Sequence, residues 1–362
     1  MSPPVLGRRV CAGRRVWDDA AMVDTAGQPP SGIEVRRYRP ADEGQVLDVL
    51  RTCLPDWRLE GARERFRWKH EHGPFGRSRG WVALAAGRVV GFATSMPWRL
   101  RLGDRRLDAG WDMDMAVHPD HQRRGIGTAI ATAGLAEPDR VGEDVHLNHG
   151  NDLSAATTRR VGFSEAEPIT VHYAPLSPWR LMRSRRHPRP RDIPDPRLPP
   201  AEQVLDQRAE VEQLLARSVP RRLVATDRTL AYLRWRYVEA PVGHYVATTL
   251  PGADGALRGL LIGRAVQSPR DDVLDHFEVS ELVVPEDDVA ARRTLLWRVW
   301  RTRAAYAAAR LPMGPAGAAM AGFPISRQRE VTFRARALAD DLPADIEKPD
   351  RWLLPLGELT AL

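Results

Sequence analysis

Residues 111–128 read WDMDMAVHPDHQRRGIGT, the pattern of a strand followed by a loop and the start of a helix. Apolar residues alternate with polar ones over residues 111–117, which is typical of a half-buried strand. This alternation places Asp112 and Asp114 on the face opposite Trp111 and Met113. The residues after Gly125 then predict a helix that continues to about residue 135.

The junction between loop and helix, residues 122–127, is a candidate anion site. The first turn of a helix presents unpaired N–H groups and a partial positive charge. Gly125 and Gly127 would let a phosphate approach the backbone closely, and Arg123 and Arg124 add positive charge beside it. The segment therefore predicts a cradle for a pyrophosphate.

Two common phosphate motifs do not fit this segment. The dinucleotide-binding fingerprint would need glycine or alanine at position 130, where the chain has Ile130. A Walker loop would need a lysine after its second glycine, and none is present. Both motifs are therefore excluded.

Length and composition argue against a membrane-spanning, a secreted or a disulfide-stabilised protein. The chain has 362 residues, and about 150 residues per domain suggests two domains. Its apolar runs, such as residues 81–86, are far shorter than the roughly 18 residues of a membrane span, so we expect no contact with membranes. The first thirty residues lack the apolar core of a secretory signal, and two cysteines cannot form a disulfide framework. These features favour a cytoplasmic protein.

The charge pattern argues against nucleic-acid binding and against a metal site. The net charge is +7, but the arginines are spread along the chain rather than clustered. Two His-x-x-His pairs, 118/121 and 146/149, have no neighbouring cysteine and lack the helical spacing of paired ligands. We therefore expect neither a nucleic-acid partner nor a bound metal.

An internal repeat organises the chain into two halves. Residues 65–76 recur as residues 232–243, which pairs Trp68 with Trp235 at a separation of 167. Further matched landmarks occur in the same order: Gly91 with Gly259, residues 114–117 with 281–284, and Gly162 with Gly322. The predicted division is a disordered tail at 1–31, a catalytic domain at 32–174, a Pro/Arg-rich linker at 175–201, a second domain at 202–340 and a C-terminal segment at 341–362.

The central motif resembles the acyl-CoA signature of the GNAT acyltransferase superfamily, a Gln/Arg-x-x-Gly-x-Gly/Ala loop after a strand ending in Val-x-Pro. A second element of that family, an asparagine followed by Gly-Phe, matches Asn151 and residues 162–163. The resemblance is close over residues 33–174 and loose over 201–337. It implies an α/β (α+β) fold of two tandem GNAT-like domains, each with a mixed, mostly antiparallel central sheet flanked by helices.

The resemblance also implies a reaction, in which an acyl group, expected to be acetyl, passes from acetyl-CoA to a primary amine of a small molecule or peptide. The residues expected to hold the acyl-CoA lie on the strand, the loop and the next strand end: Met115, Ala116, Val117, Gln122, Arg123, Arg124, Gly125, Ile126, Gly127, Thr128 and Asn151. Their main-chain N–H groups would contact the thioester, the pantetheine and the diphosphate. The second half, with Glu286, Asp287 and Asp288 and no glycine at the matching loop, is expected to have lost this site and to support the first half.

Candidate catalytic residues follow from the same resemblance. Asp114 occupies a position where relatives often carry a glutamate base, and Asp112 is its neighbour along the strand. Alternatively, both carboxylates could simply pair with Arg99 or Arg101. Thr158 stands where the family commonly has a tyrosine acid, so either His149 protonates the leaving thiolate or no acid is needed. Because that tyrosine is absent and the second half is degenerate, a non-catalytic acyl-CoA sensor is the alternative function.

Overall fold

The computed structural model describes residues 28–58, 60–136, 142–149, 155–163, 169–177, 198–241, 243–266, 276–302, 304–329 and 333–360. Nearly all of the predicted tail and most of the predicted linker lie outside these residues. None of the described helices is both long enough and apolar enough to cross a membrane.

Two sheets carry the fold. Their strands are β1 Ile33–Arg37, β2 Arg79–Ala85, β3 Arg88–Leu102, β4 Arg105–Val117, β5 Val145–His149, β6 Ile169–Pro175, β7 Val224–Thr226, β8 Val246–Pro251, β9 Leu257–Val266, β10 His276–Val283, β11 Tyr306–Ala309, β12 Ile325–Arg329, β13 Phe333–Ala337 and β14 Trp352–Leu353. The first sheet has the order β1-β2-β3-β4-β5-β13, with β7 on β3 and β14 on β7; the second has the order β12-β6-β11-β10-β9-β8. Only β4–β5, β7–β14 and β10–β11 pair in parallel among the described strands.

Helices flank both sheets. They are α1 Glu43–Cys53, α2 Ala62–His70, α3 Ile126–Leu135, α4 Ala155–Arg160, α5 Ala201–Leu205, α6 Arg208–Arg217, α7 Leu230–Tyr237, α8 Val289–Arg298, α9 Pro315–Met320 and α10 Leu356–Thr360. The predicted fold class is confirmed to the extent of a mixed α/β protein with two mostly antiparallel, helix-flanked sheets. The predicted strand over residues 111–117 and the helix after Gly125 are both present as β4 and α3.

The sheets do not divide the chain at the predicted linker. Strand β6, which precedes the linker, pairs with β11 and β12 in the second sheet. Strand β13, from the far end of the chain, pairs with β5 in the first sheet. Each sheet therefore contains strands from both halves of the sequence, which ties the two halves together through main-chain hydrogen bonds.

A bulge in β4 changes the predicted alternation of side chains. The register with β3 shifts between Phe92 and Thr94, and Asp114 opposite this shift has a φ of 53°. A bulge adds one residue to one strand and turns its side chains. As a result Met113 and Ala116 are both buried, whereas strict alternation would place them on opposite faces.

The two repeated tryptophans meet in the core. Trp68 on α2 and Trp235 on α7 stack with ring centroids 4.6 Å apart. Each indole N–H donates to the main-chain carbonyl of the other tryptophan, at 2.8 and 3.1 Å. This reciprocal contact places the two matching helices in equivalent positions about a shared centre.

Candidate active site

Strand β4 extends beyond its described pairing with β5. Pairing between β4 and β5 begins at Ala109 with Val145 and ends at Asp112 with Asn148. Beyond this point the last residues of β4 continue to pair with β3 on their other side. No described strand pairs with the main chain of residues 115–117 on the side of β5, so a ligand could add there as a strand would.

The start of α3 follows the end of β4, and no side chain of the described residues caps it. Its N-cap residue is Gly125, with a φ of 83° and open space where a Cβ would be. The side chain of Gln122 donates to the carbonyl of Val117 at 2.8 Å, which ties the loop to the end of β4. The helix start is thus held beside the end of β4 with N–H groups that no described side chain caps, as an anion site requires.

The residues predicted to bind the diphosphate differ in what they can offer. Arg123 and Arg124 are exposed, so both guanidinium groups can approach a ligand. The side chains of Ile126 and Thr128 are buried against the sheet, so these two residues can contribute only main-chain N–H groups. A Cβ atom added at Gly127 would lie 3.7 Å from the hydroxyl of Thr157, an ordinary van der Waals distance.

Asp114 is held in a buried polar cluster. Its Oδ2 atom is 2.7 Å from Nζ of Lys69 and 3.0 Å from Nε2 of His70, both on α2. The indole N–H of Trp57 donates to its other oxygen at 3.1 Å. His70 is oriented by Ser78, whose hydroxyl lies 3.1 Å from Nδ1. These contacts replace the pairing with Arg99 or Arg101 that the sequence left open for this residue.

Burial and neighbouring charges set the protonation states of Asp114 and His70. Burial alone would raise the pKa of Asp114, but Lys69 and His70 outweigh it and bring the pKa well below its usual range. Burial lowers the pKa of His70 despite the nearby carboxylate, so its imidazole is neutral at pH 7. Asp114 is consequently an ionised carboxylate with little affinity for a proton, a poor property for a base working near neutral pH.

Asp112 has a different environment. Its side chain is 28% exposed, and Oδ2 lies 2.8 Å from Nε2 of His146 on β5, a residue that is completely buried. The imidazole of His146 also packs on the ring of Phe163, with centroids 4.8 Å apart. Asp112 stands at the end of the described pairing between β4 and β5. A partly exposed carboxylate oriented by a buried imidazole can accept a proton from a group bound beside the end of β4.

The structure gives less information about the other predicted site residues. Thr158 on α4 is buried, and the described part of His149 is its main chain on β5. Asn151 lies outside the described residues. Their suggested roles, like those of the other site residues, stay predictions.

Sequence reasoning did not identify Lys69, His70 and His146 as site residues. One signal was available for the first of them. Lysine occurs only at positions 69 and 348 in a chain that otherwise uses arginine, so a lysine beside Trp68 was unusual. For the two histidines no local pattern was present, because their partners lie 44 and 34 residues away in the sequence.

The end of β10 and the start of α8 can be compared with the end of β4 and the start of α3. Pairing between β10 and β11 ends at Val279 with Ala309, and β10 carries a register shift just after it. At the start of α8, the carboxylate of Asp288 accepts a hydrogen bond from the N–H of Ala291 at 2.9 Å. This helix start is therefore already capped by an anionic side chain, whereas no described side chain caps that of α3.

Comparison with known proteins agrees with the geometry. Residues 34–166 match the family model described as "Acetyltransferase (GNAT) domain", so the chain carries an acetyltransferase domain of the GNAT family over these residues. A mycothiol acetyltransferase from Parafrankia sp. (strain EAN1pec) is 31% identical over 166 residues, which are 46% of this chain. The chain matches 47%, about half, of the length of that relative.

Solved structures share the fold. A probable N-acyltransferase from Enterococcus faecalis V583 superposes with a TM-score of 0.59 at 13% identity, over 84% of this chain and 72% of that one. A GCN5-related N-acetyltransferase from Anabaena variabilis ATCC 29413 gives the same TM-score and identity, over 84% and 73%. At this identity the likeness concerns the fold alone.

Proposed function

We propose that the protein is an acetyl-CoA-dependent N-acetyltransferase acting on a primary amine. The observation that carries this proposal is the start of α3, which has Gly125 at its N-cap and no cap from a described side chain, beside the end of β4. A diphosphate fits the helix start, and a pantetheine chain can pair with the main chain of residues 115–117. The GNAT domain match over residues 34–166 supports acetyl-CoA as the donor.

The chemistry needs few groups from the protein. The amine nitrogen attacks the thioester carbon, the C–S bond breaks, and CoA leaves as the thiolate while the nitrogen loses a proton. We assign the proton to Asp112, because its carboxylate is partly exposed, lies 2.8 Å from the buried imidazole of His146 and stands at the end of the described pairing between β4 and β5. Asp114 instead holds the β4 bulge to α2 through Lys69 and His70.

We further propose that the acceptor is a small molecule rather than a peptide. The support is the similarity to a protein named mycothiol acetyltransferase, whose name indicates a small-molecule substrate. The chain matches only about half of that relative, so mycothiol chemistry itself is not transferred to this protein.

We also propose that the second half is a copy of the first that no longer binds acyl-CoA. The carboxylate of Glu281 accepts a hydrogen bond from the hydroxyl of Tyr237 at 3.2 Å. The carboxylate of Asp114 makes the corresponding contact with the imidazole of His70. Glu281 follows Asp114 by 167 positions and Tyr237 follows His70 by the same number, in line with the repeat. Asp288 at the start of α8 would repel a diphosphate.

Release of free thiol from acetyl-CoA, measured across a panel of primary amines, tests the activity. We expect turnover with at least one small amine and a loss of at least 10²-fold in kcat for Asp112→Asn, because a positioned base contributes about that factor. Asp108→Asn, an exposed aspartate on the same strand, is the matched control and should keep full activity. Tight binding of acetyl-CoA without turnover on any amine would instead indicate the sensor.

A further inference from the structure

The second sheet contains a cavity of about 260 Å³ beside the divergent end of β10. Val279 and Leu282 of β10 form one wall, and Pro312, after β11, forms part of another. Segments from outside the sheet complete it, including the end of α6 at Ser218 and the loop at Leu223. The cavity thus lies at the end of β10, which corresponds to the end of β4 in the first sheet.

The C-terminal segment covers this cavity. Leu353 and Pro355 line it, and the guanidinium of Arg310 donates to the main-chain carbonyls of Pro349, Trp352 and Leu354 at 2.8, 2.7 and 3.2 Å. The C-terminal segment is therefore held in place by the guanidinium of Arg310, which also borders the cavity. These three bonds use three of the five N–H donors of an arginine, and in the part of the chain that the structure describes the other two have no acceptor.

Positive charge exceeds negative charge on the cavity wall. Arg228, Arg292 and Arg310 border it together with Glu281 and Glu286. Arg228 lies 3.3 Å from Glu281 and is neutralised by it. Arg310 makes its hydrogen bonds to neutral carbonyls and has no carboxylate in ion-pair distance among the described residues. Burial lowers the pKa of Arg310 to about 10, which leaves it cationic at neutral pH.

A hydroxyl in the wall also has no partner. Ser218 is 8% exposed, and its Oγ atom has no hydrogen-bond partner in the part of the chain that the structure describes. A buried polar group without a partner costs about 1–3 kcal/mol. The Oγ atom itself is closed off from the cavity space, so Ser218 contributes to the wall without contacting a ligand, and Ser218→Ala serves as a control.

We propose that this cavity binds a small organic carboxylate with an apolar body, whose charge pairs with Arg310. About half of the wall is apolar, contributed by residues such as Leu223, Val279 and Leu353, and the charged groups lie among them, so a ligand with both an apolar body and a charge fits it. A guanidinium fork matches a carboxylate geometrically. The volume suits a compact acid rather than a nucleotide. This site is separate from the proposed acetyl-CoA site and does not depend on it.

Titration calorimetry of the full chain with benzoate and with hexanoate tests the proposal. We expect binding of at least one acid with a Kd of about 1 mM or tighter. Inorganic phosphate and benzylamine serve as probes of an anion without an apolar body and of the opposite charge, and neither should bind comparably.

Variants locate the binding. Leu223→Trp fills the cavity without removing a charge and should abolish binding, whereas Leu250→Trp, a half-buried leucine of the same sheet outside the cavity, should bind as the wild type does. Arg310→Gln should weaken binding at least 10-fold, whereas Ser218→Ala should bind as the wild type does. Acetyl-CoA titrations of the same variants should be unchanged, which separates this proposal from the proposed function.

Three results would overturn the assignment: no heat with either acid at about 10 mM, unchanged binding by Leu223→Trp, or phosphate or benzylamine binding as tightly as the acids. Thermal unfolding of each variant in the absence of ligand shows whether it is folded. If Arg310→Gln fails to fold, Leu223→Trp decides alone, because it leaves the three bonds to the C-terminal segment intact.

Discussion

Replacing Lys69 by methionine tests whether the cluster around Asp114 is structural. The side chain of Lys69 is 1% exposed, and its Nζ atom lies 2.7 Å from Oδ2 of Asp114. Methionine has a similar length but no charge, so the change leaves a buried carboxylate with His70 and Trp57 as its remaining donors. We expect Lys69→Met to lower the free energy of unfolding by about 3–5 kcal/mol.

The size of this loss in the free energy of unfolding distinguishes a buried ion pair from one on the surface. An exposed ion pair contributes only about 0.2–1 kcal/mol. Asp114→Asn should also destabilise, because it strands the ammonium of Lys69. The double variant removes both charges together, so the two losses should not add and the coupling energy should be about 2–3 kcal/mol.

Urea unfolding followed by tryptophan fluorescence measures these values, provided that the m-value is unchanged. Lys348→Met is the matched control, because the only other lysine of the chain is exposed and its loss should change stability by less than about 0.5 kcal/mol. A cost below about 1 kcal/mol for Lys69→Met would refute the reasoning.

Three further predictions concern stability. Burial, with help from Glu281, raises the pKa of Glu358 from 4.5 to about 7, so its contribution to stability is present below pH 4.5 and is lost as the pH rises to 7. Glu358→Gln should remove about 3 kcal/mol of this pH dependence, as urea unfolding at several pH values would show; equal slopes would contradict it. Asp288→Ala should cost about 1 kcal/mol through loss of a helix cap, and exposed Asp287 provides the control. Gly263→Ala should cost about 1–3 kcal/mol or more, because a Cβ there would lie 2.5 Å from the ring of Phe277; a melting temperature equal to that of the wild type would count against it.

Local patterns predicted the elements that carry the candidate site. Alternation over residues 111–117 and the glycines at 125 and 127 depend on neighbouring residues alone, and both β4 and the start of α3 are present where they were predicted. The resemblance to the GNAT superfamily is likewise supported over residues 34–166.

Contacts between distant parts of the chain were not predictable in this way. The bulge at Asp114 depends on the register with β3, and the ionised state of that carboxylate depends on Lys69, 45 positions earlier. The exchange of β6 and β13 between the sheets joins residues more than 130 positions apart. No periodicity or spacing in the sequence contains this information.

Calorimetric titration with acetyl-CoA tests the proposed site most directly. Gly125→Asp places a carboxylate at the start of α3, and Gly87→Asp is its matched control, because both glycines have a φ near 80° and open space at Cβ. We expect the wild type and Gly87→Asp to bind alike and Gly125→Asp to bind at least 10-fold more weakly, which corresponds to about 1.4 kcal/mol. Equal affinity of all three proteins for acetyl-CoA, or no binding by the wild type, would contradict the account.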